Sequence, residues 1–142
     1  MGDNLVATAS VRVDASPEDV WRAMTDPGLI ARYYFGTRVE TDWRRGSPIT
    51  WSGEFEGSEY RDHGTILEAV PLERLVHTHF SPLGGREDVP ENYHTLTWTL
   101  EPDGEGTTVG LAQDNNHSYD EVEHSEKNWQ QVLEGLKQVV ES

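Results

Sequence analysis

Hydrophobic and polar positions along this chain follow two periods, and the longer one dominates its end. From Ser118 to Ser142, Val122, Trp129, Val132, Leu133, Leu136, Val139 and Val140 recur at steps of three and four. Glu121, Glu123, Lys127, Gln130, Glu134, Lys137 and Glu141 fill the opposite side. This is the ~3.6-residue period of one amphipathic helix of about six turns. Ser118 with Glu121 three positions on reads as the capping box that starts it. Gly135 in its middle costs about 1 kcal/mol against alanine, which a close approach of helix to sheet would explain.

Before that helix the period is two. Leu5 to Val13 places Ala7, Ala9, Val11 and Val13 on one face and Thr8, Ser10 and Arg12 on the other, a half-buried strand. Ser16-Pro17-Glu18-Asp19 opens a short helix with a capping serine, a proline in the first turn and acids at the positive end of the dipole. Asp26-Pro27 stops it and opens a second short turn that runs through Leu29 and Ile30 to Tyr33-Tyr34-Phe35. After Gly36 the spacing predicts strands at Thr37–Asp42, Ile49–Phe55, Arg61–Val70, Arg74–Phe80, Tyr93–Glu101 and Thr107–Asp114. Arg45-Gly46-Ser47-Pro48, Glu56-Gly57-Ser58, Val70-Pro71 and Asp103-Gly104-Glu105-Gly106 supply the turns between them. The connection Ser81–Asn92, with Pro82, Gly84, Gly85 and Pro90, is predicted to be a mobile lid. A single long terminal helix in a chain of antiparallel strands buries its stripe on the sheet, and a curved sheet gripping it leaves space for a pocket.

Composition narrows the picture. At 142 residues the chain reads as one domain spanning residues 1–142, large enough for a real core. The absence of cysteine excludes disulfides and thiolate metal sites and favours a reducing cytoplasm. No apolar run approaches membrane-spanning length, and the start carries no secretion signal. A formal net charge of -15 argues against nucleic acid and anionic lipid as partners.

The element order carries a resemblance. Val13-Asp14-Ala15-Ser16-Pro17-Glu18-Asp19-Val20-Trp21 is followed by Thr25-Asp26-Pro27, Leu29, Tyr33 and Tyr34. Then come Gly64-Thr65-Ile66-Leu67-Glu68 with Pro71, Arg74 and Leu75, and Leu96-Thr97-Trp98-Thr99-Leu100-Glu101-Pro102. Gly106-Thr107-Thr108-Val109 and the closing Trp129 with Leu133-Glu134-Gly135-Leu136-Lys137 complete it. Over nearly its whole length the chain resembles the START-like (SRPBCC) superfamily, in the branch named after the activator of heat-shock protein ninety ATPase. The resemblance implies an α+β helix-grip fold: a curved antiparallel seven-stranded sheet around the long C-terminal helix, with two short helices between the first two strands. It does not choose among the superfamily's lipid carriers, aromatic-ring cyclases, hormone receptors and chaperone regulators. The activator that names the branch carries an additional amino-terminal domain, for which Met1 to Leu5 leaves no room.

The aromatic residues are the candidate chemistry. Trp51 and Trp98 occupy inward-type strand positions and Trp129 faces the sheet from the long helix. With Tyr33, Phe55, Leu133 and Leu136 they are the expected lining of a cavity for a hydrophobic or aromatic ligand. Ordinary core packing is the plainer reading of any single one. His77 and His79 share a strand face, with His94 on the next strand and His117 and His124 beside the last helix. No H-E-x-x-H or facial carboxylate spacing accompanies them, so no metal is expected. Asp62, His63, Asp114, His117 and Tyr33 are acids and bases near the supposed mouth, without a catalytic pattern. No nucleophile elbow, phosphate loop or dinucleotide fingerprint is present, so no cofactor is expected. Arg38, Arg44 and Arg45 form the one local basic group, read as solvated strand-end charges.

Three functions follow. The first is a small-molecule binding domain with its cavity between sheet and C-terminal helix. The second, implied by the resemblance, is a chaperone-interacting module, and the third is a cyclase- or dehydratase-type enzyme using the same cavity to orient a reactive intermediate. The oligomeric state is not readable from the sequence.

Overall fold

Strand β1 (Leu5–Val13) enters the molecule with Ala7 and Val13 fully buried and Thr8, Ser10 and Arg12 facing out, as the alternation requires. The computed structural model describes residues 5–82 and 85–142, the side chain of Phe55 excepted. Helix α1 (Pro17–Thr25) follows, capped by Ser16, whose Oγ accepts from the Asp19 amide at 3.3 Å. Asp26 both ends α1 and caps α2 (Pro27–Tyr33), accepting from the Gly28 amide at 2.8 Å and the Leu29 amide at 3.3 Å. One carboxylate thus satisfies two orphan donors at the corner between the helices.

The remaining strands are β2 (Arg38–Glu40), β3 (Pro48–Phe55), β4 (Ser58–Val70), β5 (Arg74–His79), β6 (His94–Asp103) and β7 (Gly106–Asn116). They form one seven-stranded sheet in the order β1-β7-β6-β5-β4-β3-β2, antiparallel at every pair. Helix α3 (Tyr119–Glu141) closes the chain, so the architecture is the α+β helix-grip fold.

Strand ends differ from the periodicity where turns are tighter than expected. β4 begins at Ser58 because Glu56 (φ 50°) and Gly57 (φ 82°) alone make the hairpin, pairing Phe55 with Ser58. Two consecutive left-handed residues are the type I′ geometry that suits strand twist. β2 is shorter than expected, and the chain turns through Trp43, itself left-handed at φ 57°.

At α3 the Ser118 hydroxyl accepts from the Glu121 amide at 3.1 Å, and Glu121 Oε2 accepts from the His117 amide at 3.0 Å. The capping box therefore closes one residue earlier than its usual reciprocal partner. Trp129, Val132, Leu133 and Leu136 bury the stripe of α3, which packs on β1, β7, α1 and α2. Gly135 lets this helix approach α2, since a Cβ there would lie 3.0 Å from Tyr33 Cβ.

Two features bend the sheet. The β4–β5 register shifts between Ile66 and Glu68. At Gly64 the strands come so close that a Cβ would lie 2.0 Å from the Thr78 carbonyl oxygen. There the Thr65 amide donates to Thr78 Oγ1 at 2.9 Å, a side chain serving where a ladder carbonyl normally would. Among the described residues no helix is long and apolar enough to cross a membrane.

Candidate functional site

The bend opens space on the inner face of the sheet, and the two short helices cover it. Ile49 and Trp51 of β3, Leu75 and His77 of β5, and Trp98 of β6 form the floor. Met24 of α1, Ile30 and Tyr33 of α2, and Tyr34 form the roof, with Val39 and Trp43 at the side. The cavity has a volume of about 30 Å³, room for a water or two. It lies under α2, which corrects its expected place beneath the long helix. Of the expected lining, Tyr33, Trp51 and Trp98 come together here. Trp129, Leu133 and Leu136 are buried in the adjoining core and contribute none of the wall, and the side chain of Phe55 lies outside the described residues.

The long helix is displaced from the cavity because its aromatic has another partner. Trp129 Nε1–H donates to Gln113 Oε1 at 2.6 Å, and Gln113 Nε2 donates to Asn116 Oδ1 at 3.1 Å and Ser125 Oγ at 3.3 Å. Asn116 Nδ2 in turn donates to the Leu5 carbonyl at 2.9 Å. This buried network ties α3 to β7 and β1 and holds the indole away from the void.

The cavity wall is neutral by construction. Tyr33 donates its hydroxyl hydrogen to the Ala23 carbonyl at 2.9 Å, and burial raises its ionisation far above the usual phenol range. Burial raises Tyr34 likewise, helped by the negative charge of Asp62 and by Tyr60. His77 Nδ1–H donates to the Thr78 carbonyl at 3.1 Å, so its Nε2 is the acceptor for Trp98 Nε1–H at 3.1 Å. Both ring nitrogens are used by the neutral tautomer. Burial accordingly lowers the His77 pKa from 6.5 to about 4.

The folded value lies below the unfolded one, so the unfolded chain takes up the proton first. This contribution to stability is whole above pH 6.5 and is lost as pH falls toward about 4, amounting to at most roughly 3 kcal/mol. Urea denaturation over that window should therefore show a steeper loss of stability for the native chain than for His77→Gln. Equal slopes would mean that solvent reaches the ring.

Trp51 lies between the two inward histidines, its ring centroid 5.1 Å from that of His77 and 4.9 Å from that of His79. Behind it, His79 Nε2 meets Asp62 Oδ2 at 2.9 Å. The other oxygen, Asp62 Oδ1, is buried and has no hydrogen-bond donor among the described residues. Asp62 and Trp51 face each other across the β3–β4 register. Sequence spacing named Asp62 but did not join it to His79, because the bulge that sets their diagonal has no sequence signature.

The remaining candidates are dispersed. His63 points to the outer face, where it meets Asp88 at 3.1 Å beside Tyr93. His94 donates from Nδ1 to the Asp114 carbonyl at 2.8 Å, and Asp114 Oδ1 accepts from the Thr95 amide at 2.6 Å. His117 and His124 are exposed at the start of α3, and no group of metal-ligating side chains occurs among the described residues. Arg38, Arg44 and Arg45 are exposed and outside the cavity. The connection expected to be a lid borders the cavity with none of its described residues, and its positions 83 and 84 lie outside the description. Trp43 reaches the cavity from the loop between β2 and β3. Its loop is pinned where the Gly46 amide donates to the Ile66 carbonyl at 2.7 Å and the Ile66 amide to the Ser47 carbonyl at 2.8 Å.

Comparison with known proteins adds a family. The profile of the family described as activator of Hsp90 ATPase homolog 1-like protein matches residues 14–141. The protein ChR145 of Cytophaga hutchinsonii, known from its solution structure, is 46% identical; the match covers 99% of this chain and 97% of that one, with a TM-score of 0.87. The Aha1 dimer of Colwellia psychrerythraea shares the fold at 20% identity, with 96% of each chain covered and a TM-score of 0.76. CalU16 of Micromonospora echinospora does so at 22% identity, covering 98% of this chain and 87% of that one, with a TM-score of 0.70. No curated protein sequence matches significantly.

Proposed function

The chain belongs to the activator of Hsp90 ATPase homolog 1-like family, and from that premise we propose that it is a single-domain, cytoplasmic binding protein for a small apolar or aromatic molecule. The observation that carries this reading is the void walled by Tyr33, Tyr34, Trp43, Trp51 and Trp98, where Trp98 Nε1–H is paired with His77 and the Tyr33 hydroxyl with the Ala23 carbonyl. Core aromatics normally interdigitate without leaving such a space. Burial of ligand surface supplies about 25 cal/mol per Å² before ordering costs.

A volume of about 30 Å³ describes the closed form. A ligand of ordinary size enters by displacing Trp43, the half-buried side wall that sits on a strained left-handed backbone. The closed form is thus the resting state of a site that widens on binding.

The test is a thermal and fluorescence screen against neutral aromatic and lipid-like molecules. A binder at a hundred times its Kd stabilises the native state by about 2.7 kcal/mol, which raises the melting temperature by several degrees. Three of the five tryptophans line the cavity, so emission should change in step. A broad library that moves neither signal would remove the binding function.

A further inference from the structure

We propose that Glu126, Gln130, Lys137 and Glu141 of α3 serve β1 as a substitute neighbouring strand, a seal that keeps this edge of the sheet from pairing with a second copy of the chain.

β1 ends the sheet on one side, with β7 as its one strand partner among the described residues. Successive residues of such a strand turn their backbone groups to alternate sides, so one set bonds β7 and the other faces outward. α3 reaches the outward set at Thr8, Ser10, Arg12 and Asp14. Glu126 Oε2 accepts from the Thr8 amide at 2.9 Å, and Gln130 Nε2 donates to the Ser10 carbonyl at 3.1 Å. Lys137 Nζ donates to the Arg12 carbonyl at 3.0 Å, and Glu141 Oε2 accepts from the Asp14 amide at 2.7 Å. Side-chain acceptors thus meet N–H groups and side-chain donors meet carbonyls.

The match extends beyond the single bonds. Helix and strand run in the same direction, and both members cover the same distance: Glu126 to Glu141 takes about 22 Å along a helix axis, Thr8 to Asp14 about 20 Å along a strand. The sealing side chains are also held in place. Lys137 Nζ donates to Glu141 Oε2 at 2.6 Å, and Gln130 Nε2 to Glu134 Oε1 at 3.1 Å. Lys137 and the Asp14 amide keep the Glu141 carboxyl below its ordinary range, so it stays an acceptor. Trp129, Val132, Leu133 and Leu136 anchor the helix beneath them.

The two edges of the sheet differ in what they need. β2 is three residues long, and shortness alone makes it a poor template. β1 is nine residues long, with Val6 exposed, and a strand of that length with free backbone groups recruits another. A second β1, related by a two-fold axis, presents the same row of donors and acceptors in antiparallel order.

Amide hydrogen exchange on the intact chain tests the seal. The Thr8 amide should exchange at least about tenfold faster in Glu126→Ala, and the Asp14 amide in Glu141→Ala, while the Val11 amide on the β7 side keeps its rate. Glu123→Ala removes the same charge from a residue paired with Lys127, and it should change none of the three. Unchanged Thr8 and Asp14 rates in the two single variants overturn the seal. Replacing all four side chains by alanine should give a species that sediments as larger than the native chain at about 0.5 M salt, which screens the repulsion between copies of net charge -15. Adding Ser10→Pro, which removes an outward N–H, should restore native sedimentation. A folded quadruple variant that sediments like the native chain, or association that survives Ser10→Pro, overturns the second copy as the excluded partner. The single variants decide the seal even where the quadruple variant folds poorly.

Discussion

Trp129→Ala is expected to destabilise the protein by about 3–5 kcal/mol, the range for emptying a buried large aromatic site. The ring is 6% exposed, and it lies edge-on to Trp98 and tilted against Tyr34, with centroids 6.3 Å and 5.9 Å apart. Its loss leaves a void between α3 and the sheet and strands Gln113 Oε1, which Trp129 Nε1–H now satisfies. Trp129→Phe separates the two effects. It keeps most of the volume and removes the donor, so it should cost about 1–3 kcal/mol, the penalty of an unpaired buried acceptor. Urea denaturation with an unchanged slope measures both. If the alanine variant loses less than about 1 kcal/mol, the indole is not part of the core.

The second large effect belongs to Gly64→Ala, expected to cost about 3 kcal/mol or more, at the upper end of overpacking penalties. The new methyl would sit 2.0 Å from the Thr78 carbonyl oxygen and 2.6 Å from its carbon. Those are backbone atoms, so relief requires β4 and β5 to separate. Separation breaks the hydrogen bond from the Thr65 amide to Thr78 Oγ1 and strains the neighbouring His63–Phe80 pair, whose two backbone hydrogen bonds measure 3.0 Å and 2.8 Å. Ile49 of the cavity floor pairs with Gly64, so the variant should also shift the emission of the tryptophans around it. Near-native stability in Gly64→Ala would show that the strands are not pressed together at this point.

The fold was readable because its signals are local. Ser118 and Ser16 cap helices where they precede a helical period, and Asp26-Pro27 marks a corner because the residue that ends one helix has a carboxylate that accepts from two amides of the next. Alternation correctly set Trp51 and Trp98 on the inner face. The cavity's location was harder, because an amphipathic stripe says that a face is buried and not what it is buried against. Trp129 follows Gln113, a pairing sixteen residues apart that no periodicity reveals. The Asp62–His79 pair hinges on a register shift in β4, and one slipped residue changes which side chains meet. Trp43 lies in a turn, where neither alternation nor a helical period assigns a face, and its left-handed backbone is invisible in its identity.

The sheet order has a consequence for how the chain acquires its shape. β1 pairs along its length with β7, Val11 beside Val109 and Val13 beside Thr107. β1 therefore waits for the last of the seven strands, and its apolar face has no sheet to join until Gly106–Asn116 has been made. Such non-local pairing places folding in the slow range for domains of this size, on the order of milliseconds to seconds. β2 through β6 pair only with neighbours joined by turns or one connection, so they can assemble first as a meander. Completion then comes as one late event, when β7 zips between β6 and β1 and α3 settles over the junction. A nascent chain stopped before Gly106 lacks the strand that both β1 and β6 need, and it presents open edges to whatever else is in the cell.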